Sequence, residues 1–403
     1  MRHLSPAILI AAVAACGYEP QATTPPPFDA RVHQPAEAEL AAQYTIVYLP
    51  TLNGSRNRPT GISNSGLVAG FVNRPGNATR VAALWRSNSL DTLGTLGGPN
   101  SGVLWPGISS NGLIAGIAET AAPDTLHEEW SCTAFFPSVT GKICRGFFWE
   151  NGVMTPLPTL GGDQGFATGV NSRGQVVGWA ETPVHDPTCN APQVLQFRAV
   201  LWEPKEGRKQ ALPPLPGDST SAATAINERG QVVGISGDCD IAVGQLSARH
   251  SVLWDHGTVS NIGDLGGDAW HTPMDINEQG DIVGFSNPAY VVGIDFLPLA
   301  FLWTREAGIK SLGTLAGDTS SQALGINGRR QVVGVSSSLS GNRAFLWENG
   351  VMRDLNDLVG PGFPDLLIVA QHINDAGVIT GRAVPQGTSI QVPFVATPIA
   401  DTP

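Results

Sequence analysis

Short runs of apolar residues, separated by turn-forming residues, recur along the chain at an almost constant spacing. The stretch "GVNSRGQVVGWAE" begins at Gly169, and close copies begin at Ala225 and Asp275. Aligned on one β-branched position, the seven copies have Ile62, Ile108, Val170, Ile226, Ile276, Ile326 and Ile373. The intervals are 46, 62, 56, 50, 50 and 47 residues. Such a period is in the range of β-propeller blades and far from that of heptads or helical hairpins.

Each repeat contains four apolar runs, which we interpret as four β-strands. The first ends at the aligned position, the second is the "GQVVG" run, the third ends at a tryptophan, and the fourth is leucine-rich, as in "SLGTL" at Ser311. The tryptophans are Trp85, Trp149, Trp202, Trp254, Trp303 and Trp347. Runs of β-branched and aromatic residues between turn residues predict strands. Large rings at one repeated position are expected to fill the space between blades.

The turns between these strands have recognisable chemistry. Asn-x-x-Gly joins the first strand to the second, as from Asn171 to Gly174. Asn accepts a local backbone hydrogen bond, and Gly adopts a positive φ. The first two copies have Ser63 and Ser109 in place of Asn. The sixth copy reads "NGRR" and has Arg330 in place of the glycine, so we expect that turn to be distorted or shifted by one residue.

The two ends of the repeat region complement each other. "YTIVYLPTL" at residues 44–52 is typical of a fourth strand without a preceding repeat, and "VPFVATPI" near the C-terminus is typical of a third strand without a fourth. If the N-terminal strand completes the last repeat, the ring closes and no sheet edge is exposed. We therefore predict one all-β domain over residues 44–399, a seven-bladed β-propeller of four-stranded blades closed by the N-terminal strand. The alternative is an open β-solenoid.

Composition and charge narrow the possible partners. The chain has 48 Gly and 31 Pro among 403 residues, which disfavours helices. Its net charge is −11, and no basic stripe is present. A nucleic-acid surface needs clustered Lys and Arg, so no nucleic-acid partner is expected. The predicted oligomeric state is a monomer.

The N-terminal segment predicts export and lipid attachment. The apolar run "PAILIAAVAA" follows Arg2 and is too short to span a bilayer. It ends in "VAAC", which resembles the lipobox of bacterial lipoproteins, so we predict a signal peptide at residues 1–15 and lipidation of Cys16. By the same resemblance, Gly17 favours attachment to the outer membrane. Both the periplasmic side and the surface side are compatible with it. The predicted lipidated Cys and Pro-rich linker span residues 16–43, and residues 400–403 form a tail. The alternative is an ordinary signal cleaved after Ala15.

Non-repeated residues gather on one face of the predicted propeller. In an antiparallel blade, the loop between strands two and three lies on the same face as the crossover to the next blade. We call this the insertion-bearing face, because every long insertion falls there: residues 119–142, 181–196, 237–248 and 287–298. The opposite face, here called the turn face, carries tight turns between strands one and two and between strands three and four.

Four further cysteines are assigned to these insertions, Cys132, Cys144, Cys189 and Cys239. An even number of cysteines in an exported protein predicts disulfides. Cys132 and Cys144 share one blade's insertion, whereas Cys189 and Cys239 belong to neighbouring blades. Among the possible connectivities of four cysteines, we therefore favour Cys132–Cys144 with Cys189–Cys239. Buried free thiols are the alternative.

Aromatic and ionisable residues of the insertion-bearing face are the candidate ligand-binding residues. They are Trp105, His127, Glu128, Trp130, Trp270 and His271. An aromatic face with carboxylates suits a glycan or a peptide. The alternative is that Trp105 and Trp270 pack beneath the insertions as additional core.

A recurring aspartate follows the fourth strand, at Asp163, Asp218, Asp268 and Asp318. We expect it to cap its own turn. A calcium site is the alternative, but each copy supplies one carboxylate and calcium takes roughly six to eight oxygens.

The repeat also resembles a known family. "LGTLGG", "GQVVG" and "RAFLWENGVM" are similar to motifs of the HAF-repeat family of bacterial extracellular proteins, named for His-Ala-Phe before Leu-Trp. Here that tripeptide reads Arg343-Ala344-Phe345 in the sixth copy, and the histidine itself is kept at His250. The last copy departs most, with Ala396 in place of the tryptophan. The resemblance covers most of residues 44–399. It implies export and a propeller-like repeat, and it implies no established reaction.

Catalytic signatures are absent from the sequence, which has no GxSxG, HExxH, CxxC or P-loop motif. We therefore predict a non-enzymatic binding or scaffold propeller, lipid-tethered outside the cytoplasm, that recognises a glycan, peptide or partner protein on its insertion-bearing face. No catalytic residue, metal or cofactor is assigned. The alternatives are an exported glycan-active hydrolase or lyase, and a structural envelope spacer without a ligand.

Overall fold

The described part of the chain is a ring of seven sheets. A computed structural model describes residues 43–128, 132, 134–240, 244–360 and 362–399. The predicted signal peptide, Cys16, all but the last residue of the linker, Trp130 and the tail lie outside the described residues. Each sheet has four antiparallel strands, and strands that are neighbours in a sheet are also consecutive in the chain, except where β1 lies beside β28. The prediction of a seven-bladed propeller is therefore confirmed.

The blades follow one another along the chain. Blade one contains β2 (Asn57–Ile62), β3 (Val68–Asn73), β4 (Arg80–Arg86) and β5 (Ser89–Thr92), and blade two contains β6 (Gly97–Gly102), β7 (Ile114–Pro123), β8 (Lys142–Glu150) and β9 (Val153–Pro156). Blade three contains β10 (Gly165–Val170), β11 (Val176–His185), β12 (Leu195–Glu203) and β13 (Arg208–Leu212), and blade four contains β14 (Thr220–Ile226), β15 (Val232–Gly237), β16 (His250–Asp255) and β17 (Thr258–Asn261). Blade five contains β18 (Thr272–Ile276), β19 (Ile282–Ser286), β20 (Leu299–Thr304) and β21 (Gly308–Gly313), and blade six contains β22 (Ser320–Ile326), β23 (Val332–Ser338), β24 (Gly341–Glu348) and β25 (Val351–Asp354).

The seventh blade combines the two ends of the described chain. Its strands are β26 (Leu366–Ile373), β27 (Ile379–Val384), β28 (Val392–Pro398) and the N-terminal β1 (Tyr44–Tyr48). β1 pairs antiparallel with β28, with Tyr44 opposite Pro398 and Tyr48 opposite Phe394. The predicted closure by the N-terminal strand thus agrees with the observed sheet. The alternative, an open β-solenoid, does not agree with it.

Within the described residues, helical structure is confined to short segments. The helix α1 (Leu355–Leu358) connects the sixth and seventh blades, and 3₁₀ turns occur at Pro204–Glu206 and Leu246–Ala248. No helix among the described residues has the length and apolar character needed to cross a membrane.

The repeated asparagine forms its own turn and also links neighbouring blades. Asn227 Oδ1 accepts the backbone N–H groups of Arg229 and Gln231 at 3.1 and 3.0 Å. Its Nδ2 donates to the carbonyl oxygen of Asn277 in the next blade at 3.1 Å. The same inter-blade bond is made by Asn171, Asn227, Asn277, Asn327 and Asn374. The last of these ends on the carbonyl oxygen of Ser63, so this series of bonds continues across the ring closure.

The turn that contains Arg330 is neither distorted nor shifted, so the expectation for the sixth copy is wrong. The Arg330 N–H donates to the Asn327 carbonyl at 3.1 Å, as Gly230 does to Asn227. Arg330 adopts a φ of 59°, a left-handed conformation that is uncommon outside glycine. Its guanidinium pairs with Asp281 of the preceding blade at 2.7 Å, which helps to hold the residue in this conformation.

Blade two departs from the predicted strand pattern. Its first strand was expected to end at the aligned Ile108, but β6 ends at Gly102. The Gly107 N–H donates to the Trp105 carbonyl at 2.6 Å, so the chain turns tightly at this point. This repeat has two more residues than blade three at the same place, and Pro106 offers no N–H to a ladder. The loop carries Trp105 into the core.

The tryptophans of the third strands pack between blades, as predicted for a filler. Those of the first four blades are buried, Trp85, Trp149, Trp202 and Trp254, and the last two are partly exposed. Three indole N–H groups, those of Trp85, Trp202 and Trp254, also donate to the carbonyl oxygens of Pro50, Pro158 and Pro213 at 2.7 to 2.8 Å. Each of these three indole rings therefore fills space and also links its blade to the preceding one.

One apolar cluster draws residues from all seven blades and therefore lies on the ring axis. Its residues from the second strands are Phe71, Ile117, Trp179, Ile235, Phe285 and Val335. Each follows the repeated glycine of its strand, on the side nearer the insertion-bearing face. A Cβ at Gly178, for example, would lie 2.0 Å from the Phe166 carbonyl oxygen, so a close approach of two strands requires this glycine.

The four insertions lie between the second and third strands of blades two to five, as predicted. A disulfide joins Cys132 of the first insertion to Cys144, with Cα atoms 5.6 Å apart. A second joins Cys189 of blade three to Cys239 of blade four, with Cα atoms 4.3 Å apart. The favoured pairings are confirmed. Cys144 lies within β8, because this strand extends beyond the usual blade length, and not in the insertion as expected.

Candidate functional site

Trp105, the first candidate from the sequence, is buried in an aromatic cluster. Its side chain is 2% exposed. Its ring lies edge-on to Phe166 and Phe135, with centroids 5.1 and 6.0 Å away. Phe135 belongs to the first insertion, which covers the indole. The indole ring therefore has no face available for stacking on a ligand. This agrees with the alternative that Trp105 packs beneath the insertions as additional core.

Trp270 and His271 are held in a similar way. Trp270 is 2% exposed, and its Nε1 donates to the Ile294 carbonyl in the blade-five insertion at 2.8 Å. His271 Nδ1 lies 2.7 Å from Ser286 Oγ, and its Nε2 lies 3.1 Å from the Gly267 carbonyl oxygen. Burial lowers the pKa of the His271 imidazole, which favours the neutral form.

The structure brings Trp105 and Trp270 to one small cavity inside the ring, together with Trp179 and Phe285. The cavity has a volume of about 10 Å³. A space of this size holds about one water molecule. It is too small for a sugar or a peptide side chain.

Glu128 is an anchor between two insertions, whereas its neighbour His127 is exposed. Glu128 Oε1 accepts the backbone N–H groups of Val194 and Leu195 in blade three, at 2.7 and 2.5 Å. The carboxylate therefore fixes the blade-two insertion onto its neighbour and is not presented to solvent. Trp130, the remaining candidate, lies outside the described residues.

Two buried carboxyl groups share one amide beneath these insertions. Gln193 Nε2 donates to Glu128 at 3.3 Å and to Glu181 at 3.0 Å. Burial raises the pKa of Glu128, and burial together with the nearby Glu128 charge raises the pKa of Glu181 to about 8. The pair was not recognised from the sequence, because Glu128 and Glu181 come from different blades.

Two of the aspartates that follow the fourth strands accept hydrogen bonds from another strand or loop of their blade, and not from their own turns as expected. Asp218 accepts from Ser236 Oγ at 2.6 Å, and Asp268 accepts from the Gly293 N–H at 2.8 Å. Among the described residues, one group of three possible metal ligands converges, Asp186 with Cys189 and Cys239. Those two sulfurs form a disulfide and are not thiolate ligands.

Exposed apolar side chains concentrate on the loops of the insertion-bearing face. Six large hydrophobic residues are exposed between the second and third strands of four blades, namely Val139, Tyr290, Val292, Leu297, Leu339 and Ile390, and a seventh, Val184, is exposed near the end of β11 beside the blade-three insertion. The other exposed ones in the described chain lie on outer strands or at its C-terminal end, namely Val47, Tyr48, Val153, Val351 and Ile399. We call the seven residues the apolar loop tips.

The larger cavity opens on the turn face. It has a volume of about 300 Å³ and is lined by residues of all seven blades, at the ends of the first strands and in the turns that follow. These positions surround the ring axis, so the cavity is the axial channel of the propeller. The central apolar cluster fills the axis on the insertion-bearing side, which leaves the turn face as the entrance.

Two ionisable residues in this axial cavity break the repeat. The residue before the aligned position is small in five blades, Gly61, Gly107, Gly169, Ala225 and Gly325. In blades five and seven it is Asp275 and His372. His372 Nε2 lies 3.3 Å from Asp275 Oδ2, across blade six between them. A side chain at Gly325 would come within 2.9 Å of the His372 backbone, so the glycine makes room for this pair.

Backbone N–H groups of three strands fix the orientation of the pair. The Ile62 N–H donates to His372 Nδ1 at 3.3 Å, so Nε2 carries the ring proton and donates to Asp275. Asp275 also accepts the N–H groups of Ile276 and Ile326, both at 2.9 Å.

Carboxylates surround the entrance of the axial cavity. Glu228, Glu278 and Asp375 line it, and each accepts one backbone N–H from a turn of the preceding blade at 2.8 to 2.9 Å. Arg329 also lines the cavity, and it is the arginine among the described lining residues. Its guanidinium lies beside Gly377 of the next blade. The entrance is therefore predominantly negative.

The sequence predicts function on the insertion-bearing face and does not lead to this cavity. A signal was present in one column of the repeat, where Asp275 and His372 interrupt a series of Gly and Ala. These two residues can be recognised as neighbours when the ring geometry shows that this position of every blade faces the axis.

Comparison with known proteins supports the fold. No protein-family model matches the chain, and no curated protein matches its sequence. The β-propeller domain of the Trilobed protease from Pyrococcus furiosus, described as having an open velcro topology, matches with a TM-score of 0.50 and 9% identity over 90% of this chain and 100% of that one. The acylaminoacyl peptidase of Pyrococcus horikoshii has a TM-score of 0.45 and 10% identity over 90% of this chain and 52% of its own. A streptogramin B lyase has a TM-score of 0.43 and 9% identity over 89% and 98%. The likeness to the Pyrococcus furiosus domain shows the propeller fold and does not assign an activity.

Proposed function

We propose that this protein is an exported, non-enzymatic binding propeller that recognises a partner protein on its insertion-bearing face. The proposal rests on the apolar loop tips, which place exposed hydrophobic side chains from five blades on one face. Exposed apolar side chains gathered on one face of a domain are a feature of surfaces that contact another macromolecule. The outer strands of these blades expose four such residues, Val47, Tyr48, Val153 and Val351.

The chemistry of the loop tips favours a protein over a glycan. Glycan recognition uses exposed aromatic faces, but Trp105 and Trp270 are buried. Tyr290 is the aromatic residue among the loop tips, and the others are Val, Leu and Ile. Aliphatic side chains gain from contact with other apolar side chains, which a protein surface supplies and a polysaccharide does not.

The scaffold beneath the loop tips supports a preformed surface. The Cys132–Cys144 and Cys189–Cys239 disulfides restrain three of the insertions. Glu128 adds charge-assisted bonds between blades two and three. A loop surface that is ordered before binding loses less conformational entropy on association.

Export and lipid attachment remain part of the proposal. Two disulfides are compatible with an oxidising compartment outside the cytoplasm. As the fourth strand of its blade, β1 runs from the turn face to the insertion-bearing face, so Gln43 lies at the turn face. Replacing Cys16 with Ser should move the protein from the membrane fraction to the soluble fraction and remove the acyl mass from its N-terminus.

The partner proposal can be tested by site-specific photo-crosslinking in cells that make the protein. A photoreactive residue at Val292 or Leu339 is expected to trap a defined partner, whereas one at Val153 or Val351, which are exposed on outer strands, is not. Val292→Ser with Leu339→Ser should abolish the complex, and Val153→Ser with Val351→Ser should preserve it. Equal crosslinking from both positions, or none from the loop tips, would overturn the proposal.

The glycan-active hydrolase or lyase remains an alternative. The carboxyl pair Glu128 and Glu181 does not favour it, because both groups are buried and hydrogen-bonded within the scaffold. Product release from envelope polysaccharides by the purified protein would replace the binding proposal with the enzymatic one.

A further inference from the structure

The axial cavity is a second potential binding site, on the face opposite the loop tips. Its volume of about 300 Å³ is at the lower end of the range for small-molecule sites. One end is closed by the central apolar cluster, and the other opens through a ring of turns. A ligand of this cavity must therefore be small or narrow and must enter from the turn face.

The polar groups of the cavity are asymmetric around the axis. Asp275 and His372 occupy the side formed by blades five to seven, whereas Gly169 and Ala225 leave the side of blades three and four open. The free space therefore lies beside a carboxylate. Asp275 is 8% exposed, and His372 Nε2 lies 3.3 Å from its carboxylate on one side.

Charge selects the ligand class. Asp275 inside the cavity and Glu228, Glu278 and Asp375 at its entrance are four carboxylates, and Arg329 is the arginine that lines the cavity with them. Negative charge in a recess with low-dielectric walls attracts cations more strongly than the same charge on an open surface. Each entrance carboxylate also accepts a backbone N–H, which fixes its position.

A bare metal ion fits this arrangement poorly. Asp275, His372 and Asp375 do not belong to the converging ligand group found among the described residues. A linear cation that carries N–H donors fits better, because it can reach carboxylates at two depths at once. We propose that the axial cavity binds a small organic cation, an aliphatic amine or guanidine, with one cationic group at Asp275 and another at Glu228 and Glu278.

The proposal is tested by calorimetric titration of the purified protein with agmatine and with 1,4-diaminobutane. We expect one site per chain. Asp275→Asn and Glu228→Gln should each weaken binding on the order of tenfold, because each removes a charge-assisted hydrogen bond. Glu306→Gln is the matched control, since it removes one charge from an exposed residue outside the cavity on the same face. Its affinity should equal that of the unmodified protein.

Two further measurements keep the test decisive if Asp275→Asn fails to fold. Ala225→Leu fills the open side of the cavity without changing charge and should abolish binding. Glu228→Gln keeps an acceptor for the Ser172 N–H and should fold normally. Equal weakening by Glu306→Gln, several weak sites per chain, or no binding at millimolar diamine would overturn the proposal. Binding of Ca²⁺ or Mg²⁺ without binding of either amine would overturn it in favour of an inorganic cation.

The outcome is independent of the partner proposal. Crosslinks at Val292 and Leu339 report on the insertion-bearing face, and amine binding reports on the turn face. Either can fail while the other succeeds.

Discussion

Asn227 and its equivalents show how one side chain can stabilise a turn and an interface together. The carbamoyl oxygen satisfies two N–H groups of its own turn, and the amino group satisfies a carbonyl of the next blade. Side-chain donors and acceptors are fully used, which makes the residue costly to replace when it is buried. Asn227 is 3% exposed.

Replacing Asn227 with Ala should therefore lower the free energy of unfolding by about 1–3 kcal/mol. Asn227→Ser should cost less, since a hydroxyl retains the acceptor within the turn, as Ser63 Oγ does for the Leu67 N–H at 3.0 Å. Urea denaturation of both variants measures the difference. Equal losses for Ala and Ser would show that the inter-blade bond accounts for the whole effect.

Glu181 makes stability depend on pH in a defined direction. Its pKa is about 8 in the folded protein and about 4.5 without perturbation, so between these values the folded state holds a proton that the unfolded state has released. The free energy of unfolding should then fall as pH rises from 5 to 8, with a slope of up to about 1.4 kcal/mol per pH unit from this group.

Glu181→Gln should flatten that profile, because the amide does not titrate and can occupy the same site. Denaturation at several pH values between 5 and 9 gives the slope for the variant and for Glu306→Gln as a control. An unchanged slope in Glu181→Gln would assign the pH dependence to another group, with Glu128 the next to replace.

At the scale of elements, strands were predictable and their departures were not. Apolar runs, turn residues and the Asn-x-x-Gly motif predicted four strands per repeat, because these signals are local in sequence. The early end of β6 and the undistorted turn at Arg330 depend on contacts with other elements. Trp105 needs the cover of Phe135, and Arg330 needs Asp281 of the preceding blade.

The two disulfides should contribute unequally to stability. The Cys189–Cys239 link closes a separation of 50 residues and the Cys132–Cys144 link one of 12. On the chain-entropy model these correspond to about 4 and about 3 kcal/mol. Paired Cys→Ser replacements should therefore lower the unfolding midpoint more for the inter-blade link, as measured by denaturation.

The inter-blade contact should persist locally without the second disulfide. The Asn190 N–H donates to the Cys239 carbonyl at 3.1 Å, and Asn190 Nδ2 donates to Asp240 at 2.6 Å. Hydrogen exchange in the doubly replaced protein should increase in these two insertions and not in the blade strands. Faster exchange throughout blades three and four would mean that the link supports the ring itself.

At the scale of the molecule, the period and the two unmatched strands were enough to predict the closed ring. Both are one-dimensional features of the sequence. The axial cavity and the clustering of loop tips were not predictable in the same way, since they arise when equivalent positions of distant repeats meet around an axis. Asp275 and His372 are conspicuous in the sequence when the repeats are aligned, but their contact depends on the curvature that places blade six between them.

Ring closure by β1 leads to the last prediction. A chain that begins at residue 49 lacks β1 and leaves β28 as an exposed edge, with Phe394 losing the strand that lies beside it. Exposed edges pair with other chains, so the shortened protein should be less stable and should self-associate. A chain that begins at Gln43 keeps β1 and serves as the control. Thermal unfolding and light scattering compare the two.

A synthetic peptide of residues 43–50 should restore the shortened chain to the control's unfolding temperature in a concentration-dependent manner, and a scrambled peptide should not. Binding of the strand in trans would stabilise the folded state by mass action. If the chain from residue 49 unfolds at the control's temperature and stays monomeric, β1 contributes little to closure. The contacts between β2 and β27 would then hold the first and seventh blades together on their own.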